Sequence, residues 1–183
     1  MRARSTAAAF LAVAALGLGA CGDDDESAID NAVTPVETAP ATTATTASSG
    51  GDTLQKIAIS KDLATKPTIP RPSGDPPSDL YIRDVVKGTG KKARTGDNVT
   101  VDYVGTSFST GEEFDASWDR GETFAFRLPG QVIAGWNKGV LGMREGGRRL
   151  LVIPPDLAYG SEGPPGIAPN ETLLFVIDLK KVE

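Results

Sequence analysis

Residues 132–140 read VIAGWNKGV, and this stretch decides the fold. Ile133, Trp136 and Val140 keep i, i+3, i+7 spacing, which predicts one short helix from about Ile133 to Met143 with a single apolar face. Around it the pattern changes to period two. Leu80–Val86, Val99–Val104 and Phe124–Leu128 alternate apolar and polar residues, as strands with one buried face do. Arg149–Ile153 and Thr172–Leu179 are more continuously apolar and are expected to be central strands. Glycine-containing turns at 87–90, 109–111 and 145–147 separate these segments. Several strands with one short helix predict an α+β fold, a twisted antiparallel sheet (a half-barrel) wrapped over that helix. The tryptophan is the odd feature. A core Trp is normally ringed by Leu, Ile and Phe, whereas Trp136 stands beside Gly135 and Gly139 and reads as the floor of something open.

Composition narrows the chemistry. The chain has 183 residues, no histidine and one cysteine, which excludes His-based triads, His-ligated metals, cysteine metal clusters and intrachain disulfides. A formal net charge of −5 argues against a nucleic-acid partner, which would select a clustered basic face. Arg144, Arg148 and Arg149 flank a turn and read as solvated strand ends. Gly88-Thr89-Gly90-Lys91-Lys92 lacks the spacing of a phosphate loop.

The amino terminus reads as an address. Arg2 and Arg4 precede an apolar run, Ala7–Leu18, too short for a bilayer-spanning helix, and residues 1–20 are expected to be a signal peptide. Leu18-Gly19-Ala20-Cys21 resembles the bacterial lipobox, which implies lipidation of Cys21 and an extracytoplasmic protein held on the outer face of the cytoplasmic membrane. Residues 21–53, rich in Ala, Thr, Ser, Pro and Gly, have little to bury and are expected to form a disordered tether. The acidic run Asp23–Glu26 reads as solvated charge. Residues 54–78 hold five prolines; extended chain or an edge strand lying against the globular part is expected there. The globular domain is then 79–183.

Within that domain, four stretches in order resemble the FKBP-type peptidyl-prolyl cis–trans isomerases. They are Val101–Gly105, Gly111–Ser117, Val132–Trp136 with Gly139, and Ile153–Gly160 continuing through Pro165-Gly166-Ile167 and Pro169 to Leu173–Phe175. The resemblance implies that Trp136 forms the base of an apolar pocket for a proline ring, with Gly135 and Gly139 keeping its surroundings low. It implies Tyr103, Asp115, Ile133 and Tyr159 as catalytic residues; Tyr159 O–H and the Ile133 N–H would donate to substrate carbonyls. Phe114, Arg120, Phe124, Phe126, Val132, Trp136, Ile167 and Phe175 would contact substrate, and Asp115 would pair with Arg120 and Tyr103. No cofactor or metal is implied; Pro-containing polypeptides and macrolides are the implied ligands of a monomer. From alternation alone, the phenylalanines and tyrosines could equally be ordinary core residues, and Trp118 could simply be exposed. Pro164 and Ala168 depart from the family pattern in the loop over the pocket, Ala168 opening one wall. Two functional readings stay open: a tethered isomerase acting on exported proteins, or a non-catalytic module that captures Pro-containing segments.

Overall fold

The computed structural model describes residues 50–183. Its order is α1 (Gly50–Gln55), β1 (Tyr81–Val86), β2 (Asn98–Ser107), β3 (Glu113–Ala116), α2 (Ser117–Arg120), β4 (Phe124–Arg127), α3 (Ala134–Val140), β5 (Gly147–Ile153) and β6 (Leu173–Val182). Six strands form one open antiparallel sheet in the order β1-β5-β6-β2-β3, and β4 also pairs with β2. The long β2 serves both partners: Asn98–Val101 pair with β4 and Val104–Thr106 with β3. Cys21, the segment 1–20 and most of the segment 21–53 lie outside the described residues.

Side-chain alternation explains why β5 and β6 read as continuously apolar. Leu151, Ile153, Phe175, Ile177 and Leu179 face the side of the sheet that α3 covers. Their neighbours Leu150, Val152, Leu174 and Val176 face the opposite side, where Leu54, Ile57 and Ile69 join them in a second buried cluster. Both faces of the central strands are therefore covered, and no polar position interrupts Leu150–Ile153 or Leu173–Ile177.

The helix is shorter than the 133–143 expected. Ile133 is its N-cap, accepting from the N–H of Trp136 (3.0 Å) and Asn137 (3.3 Å), and Leu141 leaves helical geometry with a ψ of 131°. The two glycines act differently from the expected lowering of the surroundings of Trp136. A Cβ on Gly135 would lie 2.4 Å from Ile153, and one on Gly139 would lie 2.5 Å from Leu151. They face the sheet, and their missing side chains let α3 lie directly on β5.

Residues 54–78 contain no strand. A short helix, α1, occupies Gly50–Gln55 and so replaces the end of the expected disordered tether, and the chain then runs as a strap over the second face of the sheet. Arg83 on β1 donates to the carbonyls of Gln55 and of Ile57, the latter at 2.6 Å. Arg148, expected at a solvated strand end, is fully buried instead. It forms a two-pronged pair with Asp178 (2.5 and 2.6 Å) and donates to the Ser60 and Thr65 carbonyls at 2.7 and 3.2 Å. Arg149, its neighbour, points to the other face, pairs with Asp84 (2.6 Å) and donates to the Gly139 carbonyl (2.7 Å) at the negative end of α3. Trp118, which could have been exposed, is half-buried against the second cluster, with the Lys180 ammonium 5.7 Å from its ring centre.

Candidate functional site

Between α3 and the sheet lies a concave pocket whose floor is Trp136. Four strands deliver its walls: Tyr103 from β2, Phe114 and Asp115 from β3, Phe124 from β4, and Phe175 from β6. Val132 and Ile133 come from the turn into α3, and Tyr159 follows the 3-10 turn Pro155–Leu157. Trp136 meets Tyr103 (5.0 Å between ring centres), Phe175 (5.2 Å) and Phe124 (6.0 Å), each nearly edge to face. In that geometry ring edges meet ring faces, which favours a rigid packing of large apolar groups. Phe126 does not line the cavity; it stacks behind Phe124 at 5.6 Å and leans on Trp136 at 5.7 Å. Ile167, in the 160–170 loop, packs half-buried against the same core cluster.

One polar network closes the wall. Asp115 accepts from Arg120 on one carboxylate oxygen and from the Tyr103 hydroxyl on the other, and Arg120 also donates to the Tyr103 oxygen at 2.8 Å. The Tyr103 hydroxyl thus donates once and accepts once within the protein. Its acidity is pushed down, to a pKa of about 12, by burial and by the Asp115 charge, against the pull of Arg120. Burial, then the Asp115 charge, likewise raises the Tyr159 pKa, so both hydroxyls keep their protons at neutral pH. No acceptor among the described residues takes the Tyr159 O–H or the Ile133 N–H, which leaves both as donors at the pocket. The arrangement offers an apolar aromatic box with a few donors at its edge, and no nucleophile placed for attack.

This predicts a stability profile. A group whose folded pKa is raised binds its proton more tightly in the native state, so stability is full below the unfolded value and falls as pH climbs through the folded one. For Tyr103 the loss is expected between about pH 10 and 12. Urea midpoints across that range should decline less steeply in Tyr103→Phe than in wild type, and parallel declines would refute it.

Several supporting residues carry no sequence signature. The Asn137 side chain accepts from Gly130 N–H (2.9 Å) and donates to the Gly130 and Val132 carbonyls (3.2 and 3.4 Å), holding the turn that presents Val132 and Ile133. Ser117, fully buried, accepts from the Tyr103 N–H at 2.9 Å and donates to Asp102 at 3.2 Å. Strand β3 and helix α2, which carry Asp115 and Arg120, show no pattern in the sequence because each has only 4 residues, two periods of a strand and barely one turn of a helix.

The family model described as FKBP-type peptidyl-prolyl cis-trans isomerase matches residues 89–180. An "FK506-binding protein" from Streptomyces anulatus is 57% identical over 120 residues, spanning 64% of this chain and 97% of the relative. A "Probable FK506-binding protein" from Corynebacterium glutamicum is 54% identical over 114 residues, 62% of this chain and 96% of the relative. The crystal structure of AtFKBP13 superposes with a TM-score of 0.54 at 37% identity, covering 59% of this chain and 96% of that one. Fold, pocket-bearing stretches and relatives agree: the chain belongs to the FKBP-type peptidyl-prolyl cis–trans isomerases.

Proposed function

We propose that the aromatic pocket over Trp136 is the isomerase site and that it accelerates X–Pro rotation in exported polypeptides. The observation that carries this reading is the convergence of Tyr103, Phe124 and Phe175 on the Trp136 ring beside the Asp115–Arg120–Tyr103 network. Rotation about an X–Pro bond is slow because amide resonance must be broken, at a barrier of roughly 18–20 kcal/mol for peptide bonds. The planar amide is the more charge-separated form. An apolar box therefore disfavours it relative to the twisted transition state, and catalysis follows from differential binding. Trp136, Phe124 and Phe175 enclose the proline ring; Tyr159 O–H and Ile133 N–H hold the flanking carbonyls while the imide turns. Asp115 orients Tyr103 and Arg120 and transfers no proton.

The signal-like segment and Cys21 support a lipid-anchored monomer on the outer face of the cytoplasmic membrane, where newly exported chains expose unfolded X–Pro bonds. Two relatives are named for binding FK506, and a macrolide is proposed as a ligand of the same pocket. Ala168, exposed in the loop beside Ile167, stands where the family resemblance implies a larger aliphatic and is expected to weaken that binding.

The test is the cis-to-trans rate of an X–Pro peptide with the full chain in detergent. Saturable acceleration that a competing Pro-containing peptide suppresses is expected; a folded protein that leaves the rate at its spontaneous value would make the pocket a capture module instead. Membrane retention of Cys21→Ala would remove the anchor from the proposal.

A further inference from the structure

We propose that Lys66, carried by the strap, is a positioning residue for the pocket: its ammonium ties β3 to α2 and fixes the wall that holds Asp115 and Arg120. The inference rests on the reading of the Trp136 pocket as the isomerase site. Lys66 Nζ lies 2.7 Å from Glu113 Oε1 and 2.6 Å from Asp119 Oδ1. Glu113 opens β3 two residues before Asp115, and Asp119 immediately precedes Arg120 in α2. The Asp115–Arg120 pair joins these same two elements on the pocket side. Lys66 joins them from the strap, 47 residues earlier than Glu113 and 53 earlier than Asp119 in the chain.

α2 needs such a tie. It has 4 residues, its N-cap Ala116 supplies no side-chain hydrogen bond, and Gly121 leaves it in left-handed geometry. Exposed ion pairs usually contribute little because two flexible side chains must be ordered to make them. Here the backbone on both sides of Lys66 is already fixed. The Thr65 carbonyl accepts from the buried Arg148, and Pro67 is buried. The alternative state is also worse than an unmade pair. Glu113 and Asp119 both lie within 2.7 Å of one nitrogen, so without it two carboxylates face each other and push β3 and α2 apart.

The experiment uses the full chain in detergent, labelled with fluorotryptophan; Trp118 sits beside Asp119, and an added fluorinated small molecule serves as the shift reference. At low ionic strength Lys66→Met is expected to lower kcat/KM about fivefold and to shift or broaden the Trp118 fluorine resonance. Lys66→Arg should restore both. High salt should weaken the tie in wild type and screen the carboxylate repulsion in the variant, so the gap between the two closes. In the Glu113→Gln/Asp119→Asn background, Lys66→Met should cost nothing further, since tie and repulsion are both gone. A Lys66→Met protein with wild-type kcat/KM and an unmoved Trp118 resonance would overturn the proposal, as would an Arg variant that is equally impaired. If wild type itself fails to catalyse, the isomerase reading falls, and the Trp118 resonance alone decides whether Lys66 fixes the wall.

Discussion

Arg148→Met is expected to lower the free energy of unfolding by about 3–5 kcal/mol, the cost of leaving one member of a buried ion pair alone. Arg148 and Asp178 sit side by side on β5 and β6 with side-chain exposures of 0% and 3%. Burial raises the Asp178 pKa, and the Arg148 guanidinium, with Lys180 behind it, opposes the shift. Removing it strands the carboxylate under the strap and also frees the Ser60 and Thr65 carbonyls. Replacing both partners with apolar residues, as Arg148→Met/Asp178→Leu, should recover more than half of the loss, because no charge is then left unpaired. Urea unfolding followed by tryptophan fluorescence measures both. A loss below about 1 kcal/mol for the single variant would mean that the pair behaves as a surface one. The strap thus contributes to the core, and a fragment beginning at residue 79 would expose the Leu174, Val176, Leu150 and Val152 face that Leu54, Ile57 and Ile69 cover.

The second large effect concerns the pocket. Asp115→Ala is expected to lower kcat/KM by about 10- to 100-fold with the domain still folded, since hydrogen bonds to a charged group contribute about 1.5–3 kcal/mol each. Asp115 is the shared acceptor of Arg120 and the Tyr103 hydroxyl. Without it, Tyr103 loses the constraint on its position at the edge of Trp136, 5.0 Å away, and Arg120 loses its partner across the pocket wall. Small misplacements of binding groups are expensive in rate. Peptide isomerisation at several substrate concentrations, with near-ultraviolet circular dichroism as the check on packing, gives the result. Unchanged kcat/KM in Asp115→Ala would make the network structural only.

The strands were readable because half-buried sheets impose period two over five or more residues, as in Tyr81–Val86 and Phe124–Arg127 with its neighbours. The aromatic residues were readable as apolar, but alternation cannot separate a core ring from a pocket ring; Phe124 and Phe126 share a face, and only Phe124 lines the cavity. Their assignment came from the family resemblance. Arg148 was misread because nothing local marks a buried arginine: its partners are 30 residues ahead and 83 and 88 residues behind. The glycines of α3 were misread for a related reason, since their effect depends on Leu151 and Ile153, which a helix pattern cannot reveal. α1 escaped notice at the edge of a low-complexity stretch, where a single helical turn leaves no periodic signal.

The last strand in sequence, β6, lies in the interior of the sheet, hydrogen-bonded to β5 on one side and to β2 on the other. A chain emerging amino end first can form local hairpins, yet it cannot close its sheet until residues 173–182 are available. Completion is therefore postponed until β6 is made, and the non-local pairing that remains is the slow kind. A polypeptide built this way has no complete pocket until that strand, which brings Phe175 to the Trp136 ring, has joined the sheet.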